Sequence, residues 1–437
     1  MNRYERYKDS GIPWLGKVPE HWEVKRLRFT VNLNPVKSEL DIPEDTLVSF
    51  IPMEAVNFDK NLTLTEERNL DEVYKGYTYF KNGDVVLAKI TPCFENGKSA
   101  IAQNLTNGIA FGTTELHVLR SQDSINNHFL YYLIKSDSFM KIGESEMYGA
   151  GGQKRVPEEF IKNFLIGLPP YYEQTAIAHY LDTKLGEIDA LIDKQQTLLE
   201  KLAEQRTAVI THAVTKGLNP AAPMKNSGVE WLGDVPAHWE VCRLKDEVTF
   251  NDETLGDKTD LDYEILYVDI SNVSLNKGII KKDLMTFENS PSRARRIVKN
   301  GDVIVSTVRT YLKAITQIKN GEENLIVSTG FVVLRPRDSL LPKFLGYWVQ
   351  AENMIGAIVA NSVGVSYPAI NASDLVRLPI VKLPMEEQAA IADYLDTETD
   401  KIDRLCDTVN QTIGRLKEYR TALITQAVTG KIKVTDE

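Results

Sequence analysis

The chain repeats itself once, at a spacing of about half its length, and this repeat limits the folds open to it. An opening segment, a short turn motif and two helical segments each occur twice in the same order. In the opening segment, 14 of 21 positions are identical between the copies, at an offset of 217 residues. The matching pairs are residues 7–27 with 224–244, 81–85 with 299–303, 173–183 with 387–397, and 206–215 with 420–429. One large unit is therefore used twice in the 437 residues, unlike the short periods of solenoid proteins.

The repeat is uneven, because its frame matches closely while the stretches inside the frame do not. Residues 28–155 and 245–369 share little beyond the motif Lys-Asn-Gly-Asp-Val. A constant frame around variable inserts suits two readers of different targets on one symmetric scaffold. Duplication followed by drift is the alternative, although drift alone should not spare the frame so selectively.

The residue pattern divides each half into a mixed domain followed by a long helix. The inserts are rich in β-branched residues and turn signals, and short helices are predicted at 126–140 and 342–358. The predicted fold class is α+β, with two mixed α/β domains separated by a long antiparallel two-helix coiled coil and an internal pseudo-twofold repeat. The predicted boundaries are 1–170 for the first domain, 171–217 for the first helix, 218–384 for the second domain and 385–437 for the second helix.

Both helical segments have a heptad pattern between a helix start signal and a stop signal. The start signals are prolines and the stop signals are glycines: Pro170, Pro384, Gly217 and Gly430. With Leu181 as position a and Ile177 as position d, seven of ten such positions are apolar in the first helix and eight of ten in the second. A stripe this long favours the other helix as its partner, and twofold pseudo-symmetry makes the pair antiparallel. Leu185, Ile192 and Leu199 at position e widen the stripe, which leaves open whether an outside partner or the chain's own domains cover it.

Composition limits the partners and the compartment. The net charge of -10 argues against a nucleic-acid partner, but net charge averages over faces, so an acidic helix and a basic cleft can coexist. No run of eighteen apolar residues predicts a membrane span, and the N-terminus does not resemble a secretory signal. Three distant cysteines, Cys93, Cys242 and Cys406, predict neither disulfides nor a zinc site and fit a reducing cytoplasm.

No stretch of the sequence has the spacing of a catalytic motif. Asn34-Pro35 and Asn219-Pro220 are not followed by the residues of an adenine methyltransferase motif. Gly97-Lys98-Ser99 resembles the end of a P-loop, but position 92 is proline where the first glycine is required. No His-Glu-x-x-His zinc motif occurs. The sequence therefore predicts no catalytic residue and no metal site.

The opening and helical motifs together resemble those of Type I specificity subunits. One carrier is Ser-Gly-Ile-Pro-Trp-Leu-Gly-Lys-Val-Pro-Glu-His-Trp-Glu-Val-Lys-Arg-Leu at 10–27, with its second copy. The other is Leu-Pro-Pro-Tyr-Tyr-Glu-Gln-Thr-Ala-Ile-Ala-His-Tyr-Leu-Asp at 168–182, with its second copy at 383–396. The resemblance covers nearly the whole length, in the order domain, helix, domain, helix.

The resemblance implies a sequence-specific DNA-recognition subunit of a Type I restriction–modification complex. Each target-recognition domain would read one half of a split, asymmetric DNA sequence, and the paired helices would set the gap between the halves. The implied partners are double-stranded DNA, two adenine-N6 methyltransferase subunits and motor-nuclease subunits. S-adenosylmethionine, ATP and Mg²⁺ are expected on those partners and not in this non-catalytic chain. An enzyme in its own right and a protein-interaction rod without a DNA role are the alternatives.

Candidate DNA contacts are Arg, Lys, Asn, Gln and small polar residues in turn-rich segments, since such side chains suit base edges and phosphates. A solvated surface charge is the alternative for each of them, whereas Trp14, Trp22, Trp231 and Trp239 are expected in the core because they recur in both halves. In the first domain the candidates are Lys89, Thr91, Asn96, Lys98, Gln153, Lys154 and Arg155. In the second they are Arg293, Arg295, Arg296, Lys299, Arg309, Tyr311, Lys313, Ser366 and Tyr367.

Overall fold

In the described residues, the two halves share most of their order of strands and helices, but the helix Leu70–Val73 occurs only in the first half and the hairpin of Val273–Ser274 with Gly278–Ile279 only in the second. The computed structural model describes residues 3–57, 60–150 and 152–434. The first half contains β1 (Tyr7–Asp9), β2 (Lys17–Pro19), β3 (Glu23–Arg26), β4 (Val31–Leu33), β5 (Leu47–Ile51), β6 (Glu67–Asn69), α1 (Leu70–Val73), β7 (Thr78–Lys81), β8 (Val85–Ala88), β9 (Ser99–Ile101), β10 (Ile109–Gly112), β11 (Leu116–Ser121), α2 (Asn127–Ile134), α3 (Asp137–Ser145), α4 (Glu158–Asn163), β12 (Leu165–Leu168) and α5 (Tyr171–Lys216). The second half contains β13 (Met224–Asn226), β14 (Asp234–Pro236), β15 (Glu240–Arg243), α6 (Leu244–Glu247), β16 (Val248–Phe250), β17 (Glu264–Val268), β18 (Val273–Ser274), β19 (Gly278–Ile279), β20 (Asp283–Thr286), β21 (Ala294–Ile297), β22 (Val303–Ser306), β23 (Ile315–Gln317), β24 (Leu325–Ser328), β25 (Phe331–Pro336), α7 (Pro342–Trp348), α8 (Glu352–Ala360), α9 (Ala372–Leu375), β26 (Pro379–Lys382) and α10 (Met385–Val428).

Each half contains two four-stranded sheets whose strand orders match. The first half has the orders β6-β5-β10-β7 and β4-β11-β8-β9, and the second has β20-β17-β24-β21 and β16-β25-β22-β23. The same neighbours are parallel in both halves, β5 with β10 and β17 with β24. The inner strands β8 and β22 are buried on both faces, as their unbroken Val, Leu and Ile residues require. The α+β class with an internal repeat is therefore confirmed.

The Lys-Asn-Gly-Asp turn recurs because it makes the same buried contact in both halves. The carboxylate of Asp84 accepts two hydrogen bonds from the guanidinium of Arg120, both at 2.8 Å. Asp302 accepts the equivalent pair from Arg335 at 2.9 and 2.8 Å. Each aspartate is buried and also accepts from the backbone N–H three residues before it. A buried carboxylate is costly without such donors, so the turn residue and the strand arginine occur together.

A second repeated contact joins each opening segment to the start of a long helix. Glu173 is buried and accepts a hydrogen bond from the indole Nε1 of Trp22 at 3.2 Å. Glu387 accepts the same bond from Trp239 at 3.0 Å. The histidine before each tryptophan lies 2.8 or 2.9 Å from the second carboxylate oxygen. Both tryptophans are fully buried, which confirms them as core residues.

The chain divides into two compact units, and the division falls inside both long helices. One unit contains residues 1–195 and 411–437, and the other contains residues 196–410. In the first unit, the start of α5 and the end of α10 meet at Trp22, where a Cβ atom on Gly430 would lie 3.1 Å from the indole ring. Farther along, Asp189 of α5 pairs with Arg420 of α10 at 3.0 Å. The two segments therefore run antiparallel.

The second unit pairs the other ends of the same helices in the same way. A Cβ atom on Gly217, just after α5, would lie 3.3 Å from Trp239 and 3.6 Å from the carboxylate of Glu387 near the start of α10. Arg206 of α5 lies 3.5 Å from Asp403 of α10. Earlier residues of α5 therefore lie beside later residues of α10, as in an antiparallel pair. The antiparallel prediction is thus confirmed within each unit.

The predicted seam of these helices is wrong at one of its two heptad positions. Leu191 and Leu198, assigned to position d, are each 41% exposed, whereas Leu185 and Ile192 at position e are buried. The helix α10 repeats this, with two e positions buried and two d positions exposed: Thr399, Ile413, Leu405 and Tyr419. Along the middle of both helices the seam therefore consists of positions a and e, while the d residues at the helix starts, Ile177 and Ile391, are buried. Both choices have a 3.5-residue period, and apolar residues occupy both positions in α5, so periodicity alone could not choose between them.

A repeated aspartate holds the small helices of each domain against a long helix. Asp182 of α5 accepts two hydrogen bonds from Lys60 at 2.7 and 2.9 Å and a short one from Tyr132 of α2. Burial raises the pKa of Asp182, but the hydrogen bonds from His128, Lys60 and Tyr132 outweigh it and hold that pKa well below its usual range. Asp396 of α10, whose pKa is also lowered, has two equivalent donors in α7, each at 2.7 Å: Lys343 and Tyr347.

We expect Asp182→Asn and Asp396→Asn each to lower the free energy of unfolding at pH 7 by about 1 kcal/mol, since a partly screened charge-assisted hydrogen bond is lost. A depressed folded-state pKa stabilises the fold above the ordinary aspartate pKa of about 3.9, and this stabilisation is lost as the pH falls through the folded pKa. Each variant should therefore lose less stability than the parent on acidification. Urea unfolding at a series of pH values measures both effects. Asp407→Asn, on the exposed side of α10, is the matched control and should change neither, and an equal loss in this control would contradict the assignment.

Candidate nucleic-acid interface

In the first half, two distant segments meet beyond the end of β8. The backbone N–H of Thr91 donates to the carbonyl of Lys154 at 3.0 Å, and the N–H of Val156 donates to the carbonyl of Lys89 at 2.9 Å. A second bridge pairs Tyr148 with Arg155. The structure therefore brings the candidates after β8 together with those after the glycine-rich segment. We call residues 89–98 and 148–155 the first loop pair; Gly151 lies outside the described residues.

The second half repeats this arrangement beyond the end of β22. The N–H of Arg309 donates to the carbonyl of Pro368 at 2.8 Å, and the N–H of Ile370 donates to the carbonyl of Thr307 at 2.9 Å. Val363 pairs with Ala369 as Tyr148 does with its partner. We call residues 307–313 and 362–369 the second loop pair. Candidate residues lie in all four segments, but the sequence did not predict that the segments of each half are neighbours.

One glycine position is common to both loop pairs. Gly149 and Gly364 both have positive φ angles, 143° and 119°. A Cβ atom would lie 2.5 Å from the carbonyl oxygen of Gln153 in the first loop and 3.2 Å from that of Tyr367 in the second. Both loops therefore close tightly over a glycine that the backbone requires. The sequence already indicates this equivalence, since Ser366 and Tyr367 follow Gly364 where the first repeat has its glycine-rich loop.

Not all polar side chains of the first loop pair are available to a ligand. The guanidinium of Arg155 forms two hydrogen bonds with the carboxylate of Glu115, at 2.9 and 2.8 Å. The hydrogen bonds from Arg155 lower the pKa of Glu115, so this pair stays ionised and its charges cancel. The Nζ atom of Lys98 donates to the carbonyl of Met53 at 3.1 Å. The candidates on the exposed side are Asn96, Gln153 and Lys154, with Lys89 and Thr91 half-buried.

The second loop pair is cationic and aromatic. The guanidinium of Arg309 lies 4.6 Å from the centre of the Tyr367 ring, a cation–π contact. Tyr311, Lys313 and Ser366 are exposed beside them. Neither segment of this pair contains an aspartate or glutamate. Without a carboxylate to neutralise its two cations, this surface suits a polyanion.

The basic cluster at 293–299 lies mostly along β21 and is engaged within the protein. Arg293 forms hydrogen bonds with Asp269 and Tyr267, and the guanidinium of Arg295 lies 4.5 Å from the Phe287 ring centre. Arg296 is half-buried, which lowers its pKa, and Lys299 pairs with Glu253. Arg293 and Lys299 are therefore paired with carboxylates, whereas the Nε atom of Arg296 is buried without a hydrogen-bond partner among the described residues.

One member of this cluster adjoins the second loop pair. The backbone N–H of Thr329 donates to the carbonyl of Arg293 at 2.8 Å. The carbonyl of Gly330, which follows Thr329, accepts from the backbone N–H of Thr307 at 2.8 Å. The turn between β24 and β25 therefore links Arg293 to the loop pair. The backbone contacts do not bring Arg295, Arg296 or Lys299 to it.

Across 3–57, 60–150 and 152–434, no three His, Cys, Asp or Glu side chains are grouped so that they could hold a metal ion. No helix in that part of the chain is long and apolar enough to cross a membrane.

The family model for the Type I restriction modification DNA specificity domain matches this chain twice, at residues 19–201 and 236–415. The EcoAI specificity subunit of Escherichia coli is 43% identical over 194 residues, 44% of this chain, and the match spans 32% of that relative's own length. The EcoEI specificity subunit of the same organism is 38% identical over 201 residues, 45% of this chain and 33% of its own. The chain thus matches about a third of the length of these two relatives.

Other similarities run nearly end to end. The putative MjaX specificity subunit of Methanocaldococcus jannaschii is 23% identical over 98% of this chain and 97% of its own. Among solved structures, a chain from a study of assembly and conformational transition in a type I R-M system has a TM-score of 0.72 at 19% identity. The HsdS subunit of Thermoanaerobacter tengcongensis has a TM-score of 0.56 at 20% identity. Both matches cover 94% of this chain and 98% of the other, and they show that the fold is shared.

We expect Gly149→Ala to lower the free energy of unfolding by at least about 1 kcal/mol, because an L side chain is strained at this φ and its Cβ would press on a carbonyl oxygen. The matched control is Gly186→Ala on the exposed side of α5, where a Cβ would meet nothing within 4 Å. There alanine should raise the stability by roughly 0.5–1 kcal/mol. Urea unfolding of both variants measures the difference, and a neutral Gly149→Ala would show that the loop is not held as described.

Proposed function

Because the chain belongs to the family of Type I restriction modification DNA specificity domains, we propose that it is the sequence-reading subunit of a Type I restriction–modification complex. Each half reads one part of a split, asymmetric target in double-stranded DNA. The chain contributes recognition and assembly, and the chemistry belongs to other subunits.

The observation that carries the proposal is the pair of equivalent loop pairs with unlike side chains. The backbone hydrogen bonds, the bridges and the glycine position agree between the halves. The side chains that they present differ, with Gln153 and Lys154 in one half and Arg309, Ser366 and Tyr367 in the other. Sequence is read by side chains at base edges. One scaffold that presents two different sets of side chains suits a target with two different halves.

The distribution of charge removes the objection raised by the negative total. The helices α5 and α10 carry 16 Asp and Glu against 10 Lys and Arg, which accounts for most of the net charge of -10. The second loop pair has cations without carboxylates, and in the first the Arg155–Glu115 pair is neutral, which leaves three cations, Lys89, Lys98 and Lys154, against Glu95. Acidic helices and locally cationic loops therefore coexist in one chain, and DNA binding requires only the local field.

The remaining roles follow from the same proposal. The antiparallel helices set the gap between the half-sites and dock two methyltransferase subunits, and motor-nuclease subunits join where the host encodes them. S-adenosylmethionine, ATP and Mg²⁺ are bound by those partners. The complex acts in the cytoplasm, where its DNA substrate is found.

Mapping of N6-methyladenine across the host genome, with and without this gene, tests the proposal. We expect one split motif, two half-sites at a fixed gap, to lose its methylation on deletion and to regain it when the gene is returned. An unchanged pattern would contradict a recognition role. Methylation or cleavage of DNA by the isolated chain would also contradict it, because the chemistry would then belong to this subunit.

A further inference from the structure

The two loop pairs have the same backbone arrangement but present different side chains in one of their loops. This loop follows α2 and α3 in the first half and α7 and α8 in the second. In the first half, Tyr148 before Gly149 is 69% exposed, and the described residues after this glycine are small or polar: Ala150, Gly152, Gln153 and Lys154. In the second half, the residues around the equivalent glycine are Val363, Val365, Ser366, Tyr367 and Pro368. The first set is suited to hydrogen-bond readout. The second adds the apolar side chains of Val363 and Val365, which can recognise a base only by apolar contact, beside the hydroxyls of Ser366 and Tyr367.

Val365 is the most exposed member of the second loop. Its side chain is fully exposed, and Val363 is 82% exposed. The loop is not a loose end, because Val363 and Ala369 exchange two backbone hydrogen bonds at 2.8 and 3.0 Å at its base. A single exposed valine is ordinary, but two valines and a tyrosine within five residues form an apolar tip on a held loop. Such a tip indicates a binding surface.

The surroundings of the tip indicate which partner covers it. Arg309 is held over Tyr367, and Lys313 is exposed on the neighbouring segment. No carboxylate lies in either segment. Two cations beside an apolar tip complement a ligand in which anionic groups surround an apolar group. The major groove of DNA has this combination of groups at a thymine. The C5-methyl of thymine is the one apolar group that a base pair presents there.

Building on the proposed function, we infer that Val365 contacts the C5-methyl group of a thymine in the half-site read by the second half of the chain. A valine is short and branched at Cβ, so it suits contact with a methyl group. The wedges that separate stacked bases are longer side chains such as Phe, Leu, Ile and Met. Arg309 and Lys313 position the loop through phosphates. The second half therefore requires thymine at one position by apolar contact, whereas the first half reads through Gln153 and Lys154.

Replacement of thymine by deoxyuridine tests this inference, since it removes the methyl group and leaves the base-pairing edge unchanged. The full chain, with the subunits it needs for specific binding, is titrated with duplexes that carry the mapped target and one deoxyuridine at a time. One deoxyuridine in the second half-site should weaken binding about fourfold, the weight of one buried methyl-sized group. With Val365→Ala, binding to the unmodified target should weaken similarly, and the same deoxyuridine should have little further effect.

The matched control is Val359→Ala, the same change at an exposed position of α8. It should keep both the parent affinity and the full deoxyuridine effect. A second half-site without thymine, a scan without any effect, or an effect that persists in Val365→Ala would overturn the inference. In each of these cases, specific binding to the mapped target still supports the proposed function. If deletion of the gene leaves the methylation pattern unchanged, both the proposed function and the thymine contact are contradicted.

Discussion

One glutamate in each half joins the opening segment to the start of a long helix, and the rest of the fold is arranged around this contact. Glu173 is buried and Glu387 is half-buried, and each carboxylate is stabilised in place by hydrogen-bond donors. The donors are the indole of Trp22 or Trp239 and the histidine before it, 151 and 148 residues away in the chain. The opening segment and the helical segment are therefore two parts of one contact.

The glutamine after each of these glutamates extends the same anchor. The side chain of Gln174 donates to the carbonyls of Ser124 and Pro169 and accepts from the N–H of Asn126. Gln388 makes the equivalent three bonds in the second half. The Glu-Gln dipeptide thus fixes the end of each long helix to its own domain. Both frame motifs repeat together because neither is satisfied without the other.

This frame leaves the reading loops free to differ. The loop pairs are held by backbone hydrogen bonds beyond β8 and β22 and by a glycine that the tight closure needs, so their geometry depends little on the remaining side chains. The domains are anchored to the long helices at Asp182 and Asp396, away from these residues. A surface whose shape is set by the backbone can present Gln and Lys in one half and Val and Tyr in the other without disturbing the fold.

Much of this was predictable because the repeat exposes it. The match between 7–27 and 224–244, with the prolines and glycines around 171–216 and 385–428, predicted the frame, the two long helices and their antiparallel pairing. The seam was not predictable, because apolar residues occupy both candidate positions of the heptad in α5. The pairing of Arg155 with Glu115 could not be predicted from the sequence for another reason. The two residues are 40 positions apart, and their contact depends on how β11 lies beside β8. The internal contacts of the cluster at 293–299 were hidden in the same way, because its acidic and aromatic partners, Asp269, Glu253 and Phe287, are distant in sequence.

In the proposed function, each insert reads its own half of the target on a common frame. This division of the target is tested most directly by a chain in which residues 28–155 also replace residues 245–369, so that both frames carry the same insert. Methylation mapping with this chain should give a target made of two copies of one original half-site, with the other half-site absent. An unchanged target, or one that contains neither original half-site, would contradict the account.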